Sequence, residues 1–218
     1  MHLKVTKMAP CVFLFMVASV VEASAQSMVS DDAPRRWYVD ATAVELRKTP
    51  QQDGESLAVL HAGAVLTSLG CRDEARTAWC KVRPLHDGPT GYVRRDRLTP
   101  ARGPDGVIAV GKDDSPARAR KGRFDGKGSV ACAQEVGESL STCDGFVARG
   151  TGGDATLVVR FSNGFARTLF FAHGEFTHAS ATMSGVGTDT DWRVQDGMHV
   201  IRVDDQQFEV PVTLILGY

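Results

Sequence analysis

The stretch LAVLHAGAVLTSLGCRDEARTAWCKV, residues 57–82, contains three short apolar runs separated by glycine or by a polar turn. The runs are Leu57–Leu60, Ala64–Leu69 and Ala78–Val82. Apolar runs of this length between turn residues are typical of β-strands. The stretch therefore predicts three consecutive strands, with Arg72–Thr77 as the turn before the third.

The same pattern extends in both directions, from Arg35 to Ala101. Further short apolar runs occur at Trp37–Val39, Val44–Leu46 and Gly91–Val93. No window long enough for a stable helix keeps an apolar stripe. We predict an all-β domain over residues 35–101, and a small barrel rather than a sandwich, because closure removes edges that so small a sheet could not protect.

Four of the five cysteines form two pairs that are close in sequence, Cys71 with Cys80 and Cys132 with Cys143. Cys71 ends one predicted strand and Cys80 lies in the next, so a bridge between adjacent strands is plausible there. A zinc site is the alternative, but no C-x-x-C or H-x-x-x-H spacing accompanies the cysteines. We predict two disulfides and an oxidising compartment. The fifth cysteine, Cys11, lies near the N-terminus.

Four motifs in the N-terminal half occur in the same order as in a known domain family. VELRKTP (44–50), LAVLHAGAVLTSLG (57–70), AWCKV (78–82) and GPTGYVRRDRLTP (88–100) resemble the bacterial SH3-like domain. Glu45, Thr49–Pro50 and Tyr92 depart from the residues that are common in that family. The resemblance implies a small barrel that binds peptides or cell-wall stems through a groove between its longest loops, although many members are structural spacers.

A groove of this kind could be lined by five residues: Trp37, Arg47, Asp53, Trp79 and Tyr92. The functional interpretation is a shallow aromatic and charged surface that stacks on a sugar or peptide, with Arg47 pairing a carboxylate. In the alternative interpretation Trp79 and Tyr92 belong mostly to the core, while Arg47 and Asp53 are ordinary loop charges.

The N-terminal residues 1–25 have the pattern of a signal peptide. Lys4 and Lys7 precede the apolar run Ala9–Val21, and Ala23–Ala25 (ASA) is a small-residue cleavage pattern. The alternative of a membrane anchor is disfavoured because the run is shorter than the ~20 residues that span a bilayer. Cleavage would change the formal charge from −1 to −2, which disfavours nucleic acid as a partner.

Residues 102–123 are rich in proline, glycine and charge, so we predict a flexible linker there. Its basic cluster could touch acidic lipids or wall polymers, or could simply be solvated. The cluster consists of Arg118, Arg120, Lys121 and Arg123.

The sequence of residues 124–218 predicts a second all-β domain, which would be an antiparallel sheet or an open barrel. The predicted strands are Ser129–Ala133, Gly145–Arg149, Ala155–Phe161, Ala166–Ala172, His199–Val203 and Phe208–Leu216. The Asn163–Gly164 turn predicts a hairpin, and Gln134–Leu140 is the one possible helical turn. This half is similar to small all-β domains that follow exported SH3-like modules in proteobacteria, which supports an envelope context and adds no chemistry.

Catalytic and metal motifs are incomplete in this second half. The run SATMSGVG (180–187) lacks the G-x-S-x-G elbow of a serine hydrolase. The run GVGTDTD (185–191) begins like a calcium loop, but Arg193 stands where the next oxygen ligand is needed. The turn Gly150–Gly153 lacks the Lys-Ser/Thr that ends a phosphate-binding loop. His173, Glu175 and His178 lack the H-E-x-x-H spacing of a zinc enzyme. We therefore predict no enzyme, no cofactor and no metal.

Three functional hypotheses follow. The first is a non-catalytic, exported binding or adaptor protein of the cell envelope, in the periplasm or secreted, which engages peptidoglycan or an envelope protein. The second is an inhibitor of a hydrolase such as lysozyme that inserts the loop Ser180–Asp191. The third is a cell-wall hydrolase whose site the sequence does not reveal.

Overall fold

The computed structural model describes residues 33–71, 77–181 and 189–218. The predicted signal peptide and Cys11 lie outside the described residues. Within them the chain forms two antiparallel sheets, so the all-β prediction is confirmed. No helix in these three ranges is long and apolar enough to cross a membrane.

The N-terminal sheet has seven strands in the order β3-β2-β6-β5-β4-β1-β7 and is the small SH3-like barrel that the sequence predicts. The turn Arg95–Arg97, a short 3₁₀ helix, connects the sixth strand to the seventh. The strands are β1 (Arg36–Val39), β2 (Ala43–Arg47), β3 (Ser56–His61), β4 (Val65–Cys71), β5 (Trp79–Pro84), β6 (Gly91–Arg94) and β7 (Leu98–Pro100).

Side chains alternate between the interior and the outer face of this barrel, as the pleat of a strand requires. On β5 the buried Cys80 and Val82 alternate with Trp79, Lys81 and Arg83, which point outward. The buried residues form one core with Leu46, Leu66 and Val93. Cys71 and Cys80 are directly paired across β4 and β5 and form a disulfide, which confirms the first predicted bridge.

The segment after β7 differs from the flexible linker predicted for residues 102–123. It contains a helix, α1 (Ser115–Arg120), and buries Ala109, Ser115 and Ala119. The Ser115 hydroxyl is hydrogen-bonded to the Thr156 hydroxyl at 3.0 Å. The composition of the segment is polar, but its few small side chains pack closely against the second sheet, so the segment is an ordered connector.

The C-terminal sheet has eight strands in the order β12-β11-β10-β9-β8-β15-β14-β13. Its two terminal strands, β12 and β13, are consecutive along the chain. The strands are β8 (Gly126–Ala133), β9 (Ser141–Arg149), β10 (Ala155–Arg160), β11 (Ala166–Ala172), β12 (Glu175–Ala179), β13 (Thr190–Gln195), β14 (Met198–Val203) and β15 (Gln206–Pro211), and α2 (Val212–Leu216) follows.

The predicted strands of this half are present, with several differences in the elements around them. The predicted Asn-Gly hairpin joins β10 to β11. The last predicted strand, Phe208–Leu216, stops at Pro211, which has no N–H to continue the ladder, and α2 follows. Residues 134–140 form a turn and bends rather than a helical turn. The sequence did not predict β12 or β13.

The core of the C-terminal sheet consists of the inward side chains of its strands and the buried face of α2. Leu157, Leu169 and Phe208 are fully buried, and Ile215 of α2 packs against them. Cys132 on β8 and Cys143 on β9 form the second predicted disulfide.

Candidate functional site

A cleft of about 760 Å³ lies between the two sheets. One wall is the end of β5 and the loop that follows it, and the other wall is formed by β12 and β13. These are the two terminal strands of the C-terminal sheet, so the cleft lies where that sheet fails to close. The lining residues are Arg83, Leu85, His86, Asp87, Gly88, Phe176, Thr177, His178, Thr190, Asp191 and Trp192.

A stack of three aromatic rings crosses this cleft. Trp192 lies between His86 and His199, with interplanar angles of 25° and 26° and ring-centre separations of 5.3 and 5.9 Å. The Trp192 indole also donates from Nε1 to His199 Nδ1 at 3.1 Å. The indole N–H lies in the plane of the ring, so His199 lies at the edge of Trp192, while the His86 ring covers one face of the indole.

His199 is the buried end of this stack and is only 1% exposed. Burial lowers the pKa of His199 to about 4, so the imidazole is neutral at neutral pH. Because its Nδ1 accepts the Trp192 hydrogen bond, the proton of the neutral ring is on Nε2. Within the described residues this Nε2 has no hydrogen-bond partner.

The polar groups of the cleft include charges of both signs. Asp87 and Asp191 are exposed acids, and Arg83 is an exposed cation that forms no ion pair with any residue of the described ranges. His86 donates from Nε2 to Glu175 Oε2 at 2.7 Å, which joins the two walls. Desolvation and the nearby Arg83 guanidinium lower the pKa of His178.

A buried ion cluster holds the two sheets together beside the cleft. The Asp154 carboxylate accepts from Arg35 Nη1 and pairs with Arg36 Nη2, both at 2.5 Å, and it also accepts the backbone N–H of His173 at 3.2 Å. Burial raises the pKa of Asp154, against the opposing effect of Arg36 and Arg35. Two arginines at the start of the barrel, one immediately before β1 and one at its first residue, are therefore anchored on the C-terminal sheet.

Two further contacts cross the same interface. The Tyr38 hydroxyl is hydrogen-bonded to His173 Nε2 at 2.8 Å, and burial lowers the pKa of His173. Gly103 lies against the backbone of Gly152, so close that a Cβ on Gly103 would be 2.3 Å from the Gly152 carbonyl carbon. These contacts fix the distance between the walls of the cleft.

The five residues predicted to line a groove are not all brought together, and none of them lines this cleft. Trp37 is 2% exposed, in the core, with the Arg95 guanidinium 4.2 Å from its ring centre. Trp79 and Tyr92 are half-buried on the outer face of β5 and β6. A binding role for these residues stays a prediction.

The remaining two members of the predicted set lie at the β2–β3 hairpin. Arg47 is directly opposite Tyr92, pairs with Glu45 and donates to the Gly54 carbonyl at 2.6 Å. Asp53 is exposed in the loop. Arg47, Trp79 and Tyr92 thus share one outer face, whereas Trp37 is on the opposite side of the barrel wall.

The other motifs weighed in the sequence have separate roles. His173 binds Tyr38, Glu175 binds His86, and His178 stacks on Phe170 with ring centres 4.5 Å apart. The described residues contain no cluster of three or more potential metal ligands. In the basic cluster of the connector, Arg118 pairs with Asp125. Most of the loop Ser180–Asp191, including the serine and calcium motifs, lies outside the described residues.

Comparison with known families identifies the N-terminal sheet. Residues 42–99 match the family model of the bacterial SH3 domain. This segment is a bacterial SH3 domain. The match confirms the resemblance seen in the sequence. No curated protein and no solved structure matches the chain.

The SH3 domain therefore supplies Arg83 and His86 to the cleft, and the C-terminal sheet supplies Trp192 and the exposed edge strands. Sequence reasoning missed all of these residues. The alternation of β5 could have placed Arg83 outward, but only the fold shows that this face meets a second sheet. Together, the bacterial SH3 domain and the two disulfides indicate an extracytoplasmic protein.

Proposed function

We propose that this protein is a non-catalytic binding protein of the bacterial cell envelope that holds a peptide in the cleft between its SH3 domain and its C-terminal sheet. The observation that carries the proposal is that the two units build the cleft jointly. Bacterial SH3 domains generally bind cell-wall or protein partners. The ligand is then a peptidoglycan stem peptide or a segment of an envelope protein, and the predicted signal peptide would deliver the chain to the periplasm.

The chemistry of the cleft supports a peptide over a sugar. Arg83, which forms no ion pair within the described ranges, can bind a carboxylate, and Asp87 and Asp191 can bind an amine. The hydroxyl of Thr190 adds a hydrogen-bonding group on the edge strand β13. A volume of about 760 Å³ lies within the range of ligand sites.

Arg83→Ala tests this site. We expect the full mature chain to bind purified peptidoglycan sacculi or synthetic peptides, and the variant to bind at least about tenfold more weakly because a charge-assisted contact is lost. Arg97→Ala is the matched control, since Arg97 is an exposed arginine of the same domain outside the cleft lining. Absence of binding to both sacculi and peptides, or equal binding by both variants, would refute the proposal.

A zymogram tests the proposal that this protein does not cleave the cell wall. A zymogram with sacculi in the gel should show no clearing, with or without a chelator. Clearing that tracks the purified chain would replace the binding proposal with the wall-hydrolase hypothesis.

A further inference from the structure

We propose that the occupant of the cleft is an extended segment of a partner protein, which adds to the open edge of β13 as an extra strand. This inference rests on the proposed function and selects among its ligands. The argument comes from the backbone of β13, from its exposure and from the groups beside it.

The backbone of β13 presents free hydrogen-bonding groups to the cleft. Asp204 donates its backbone N–H to the Asp189 carbonyl at 2.7 Å, so these two residues are a hydrogen-bonded pair. Pairs in an antiparallel ladder alternate, which makes Thr190 and Trp192 members of non-hydrogen-bonded pairs with β14. The N–H and C=O groups of Thr190 and Trp192 therefore point away from β14, toward the open edge, and both residues line the cleft.

The side chains of β13 are exposed, as expected for an edge strand that pairs with a single strand. Five of its six residues are exposed, including Val194 at 53%, and only Trp192 is half-buried. Within the described residues β13 pairs with β14 alone. An open edge of this kind is a template for strand addition, in which main-chain hydrogen bonds supply affinity.

The charges near this edge favour a partner segment that carries both an acidic and a basic residue. Arg83 faces the cleft without an ion pair in the described part of the chain, so it can donate to a carboxylate of the added strand, and the exposed Asp87 and Asp191 can pair with a basic residue. A peptidoglycan stem is a poorer occupant, because it is short and contains D-residues, which do not continue a ladder of L-residues. We therefore assign the cleft to an L-peptide that carries charges of both signs.

N-methyl scanning of a bound peptide tests the inference with the unaltered protein. Twelve-residue L-peptides are selected from a random display library on the mature chain, and each backbone N–H of one selected peptide is then methylated in turn. A strand has its N–H groups alternately toward and away from its neighbour. We expect methylation of every second residue in the bound stretch to weaken binding at least about tenfold, while the intervening positions change it less than about threefold. Uniform tolerance, or loss without alternation, would overturn strand addition.

Thr190→Pro tests the edge from the side of the protein, because proline removes the N–H that faces the cleft. We expect at least about tenfold weaker peptide binding. Val59→Pro is the matched control on the other sheet. Ala62 donates to the Thr42 carbonyl, so by the same alternation the Val59 N–H faces the open edge of β3, away from the cleft. Equal losses in both variants would overturn the inference.

The outcomes separate this inference from the proposed function. If sacculi bind in an Arg83-dependent way but no L-peptide is selected, the binding function stands and strand addition fails. If neither sacculi nor peptides bind, both fail. If an L-peptide with charges of both signs binds with the alternating pattern, both hold.

Discussion

At the scale of single residues, the interface between the two sheets depends on polar groups removed from water. His199 and Asp154 are both at most 2% exposed. Each is held by specific partners, His199 by the Trp192 indole and Asp154 by two guanidinium groups. Such groups make the free energy of unfolding sensitive to protonation and to the loss of one partner.

The free energy of unfolding should fall as the pH is lowered from about 6.5 to about 4. The folded chain keeps His199 neutral down to a pKa of about 4, whereas the unfolded chain takes up a proton near its ordinary value of 6.5. Protons therefore favour the unfolded state in this window, by up to ~3 kcal/mol from this residue. Urea titrations at several pH values measure the slope.

His199→Gln should reduce that slope, because glutamine does not titrate. His61→Gln is the control, since His61 is exposed on β3. His173 and His178 also have lowered pKa values, so part of the slope should remain. An unchanged slope in His199→Gln would contradict the prediction.

Asp154→Asn should destabilise the fold by about 3–5 kcal/mol, because it leaves the Arg35 and Arg36 guanidinium groups without their buried carboxylate. The nearest other acid, Asp113, is 3.7 Å from Arg35 and pairs only weakly with it. Asp144→Asn is the matched control, since Asp144 forms an exposed pair with Lys127, and should change stability by less than about 1 kcal/mol. Chemical denaturation measures both variants, and equal effects would refute the prediction.

At the scale of elements, most strands with buried faces could be predicted from the sequence, whereas the two terminal strands of the C-terminal sheet could not. β10 and β11 could be predicted because their inward apolar residues and the Asn-Gly turn between them both indicate a hairpin. In contrast, β13 (TDWRVQ) has two apolar residues, Trp192 and Val194, and buries only part of Trp192, so its signal in the sequence is weak. The cleft was missed because β12 and β13, which form one wall, were not predicted, and because the site depends on contacts between residues more than 80 positions apart, such as His86 and Glu175.

Removal of the Cys132–Cys143 bridge should destabilise the C-terminal sheet by about 3 kcal/mol. The two cysteines are 11 residues apart, so reduction frees a short loop of the unfolded chain. The double variant Cys132→Ala/Cys143→Ala, compared with the parent chain in urea, gives the value. A midpoint that does not move would show that the bridge does not contribute.

At the scale of the whole molecule, the two sheets act as one body because the connector is packed between them. The loop from Gly103 to Asp105 lies on the C-terminal sheet, and the Asp105 carboxylate accepts the Gly152 N–H at 2.7 Å. The cleft is thus preformed, which lowers the entropy that a ligand must lose on binding.

Gly103→Ala should loosen this arrangement, because the new Cβ would meet the Gly152 backbone at 2.3 Å. We expect a loss of about 1–3 kcal/mol and a larger radius of gyration by small-angle scattering. Gly106→Ala is the control in the same loop. Its Cβ would meet no atom within 4 Å, so it adds backbone strain at a φ of +74° without separating the sheets. Equal radii for Gly103→Ala and the parent chain would contradict the prediction.

The position of the interdomain contacts along the chain has a consequence for how this protein can be recombined. Arg35, Arg36 and Tyr38 precede the segment that matches the bacterial SH3 domain, and Gly103 follows it. A foreign segment spliced into positions 42–99 would inherit these contacts from its flanks, provided that it pairs with β1 (Arg36–Val39) and packs on Trp37 and Val39. It would lack the histidine that bridges to Glu175 and stacks on Trp192, and the arginine that lines the cleft. Replacing the part of the barrel after β1 could therefore change ligand specificity while the contacts between the sheets stay in place.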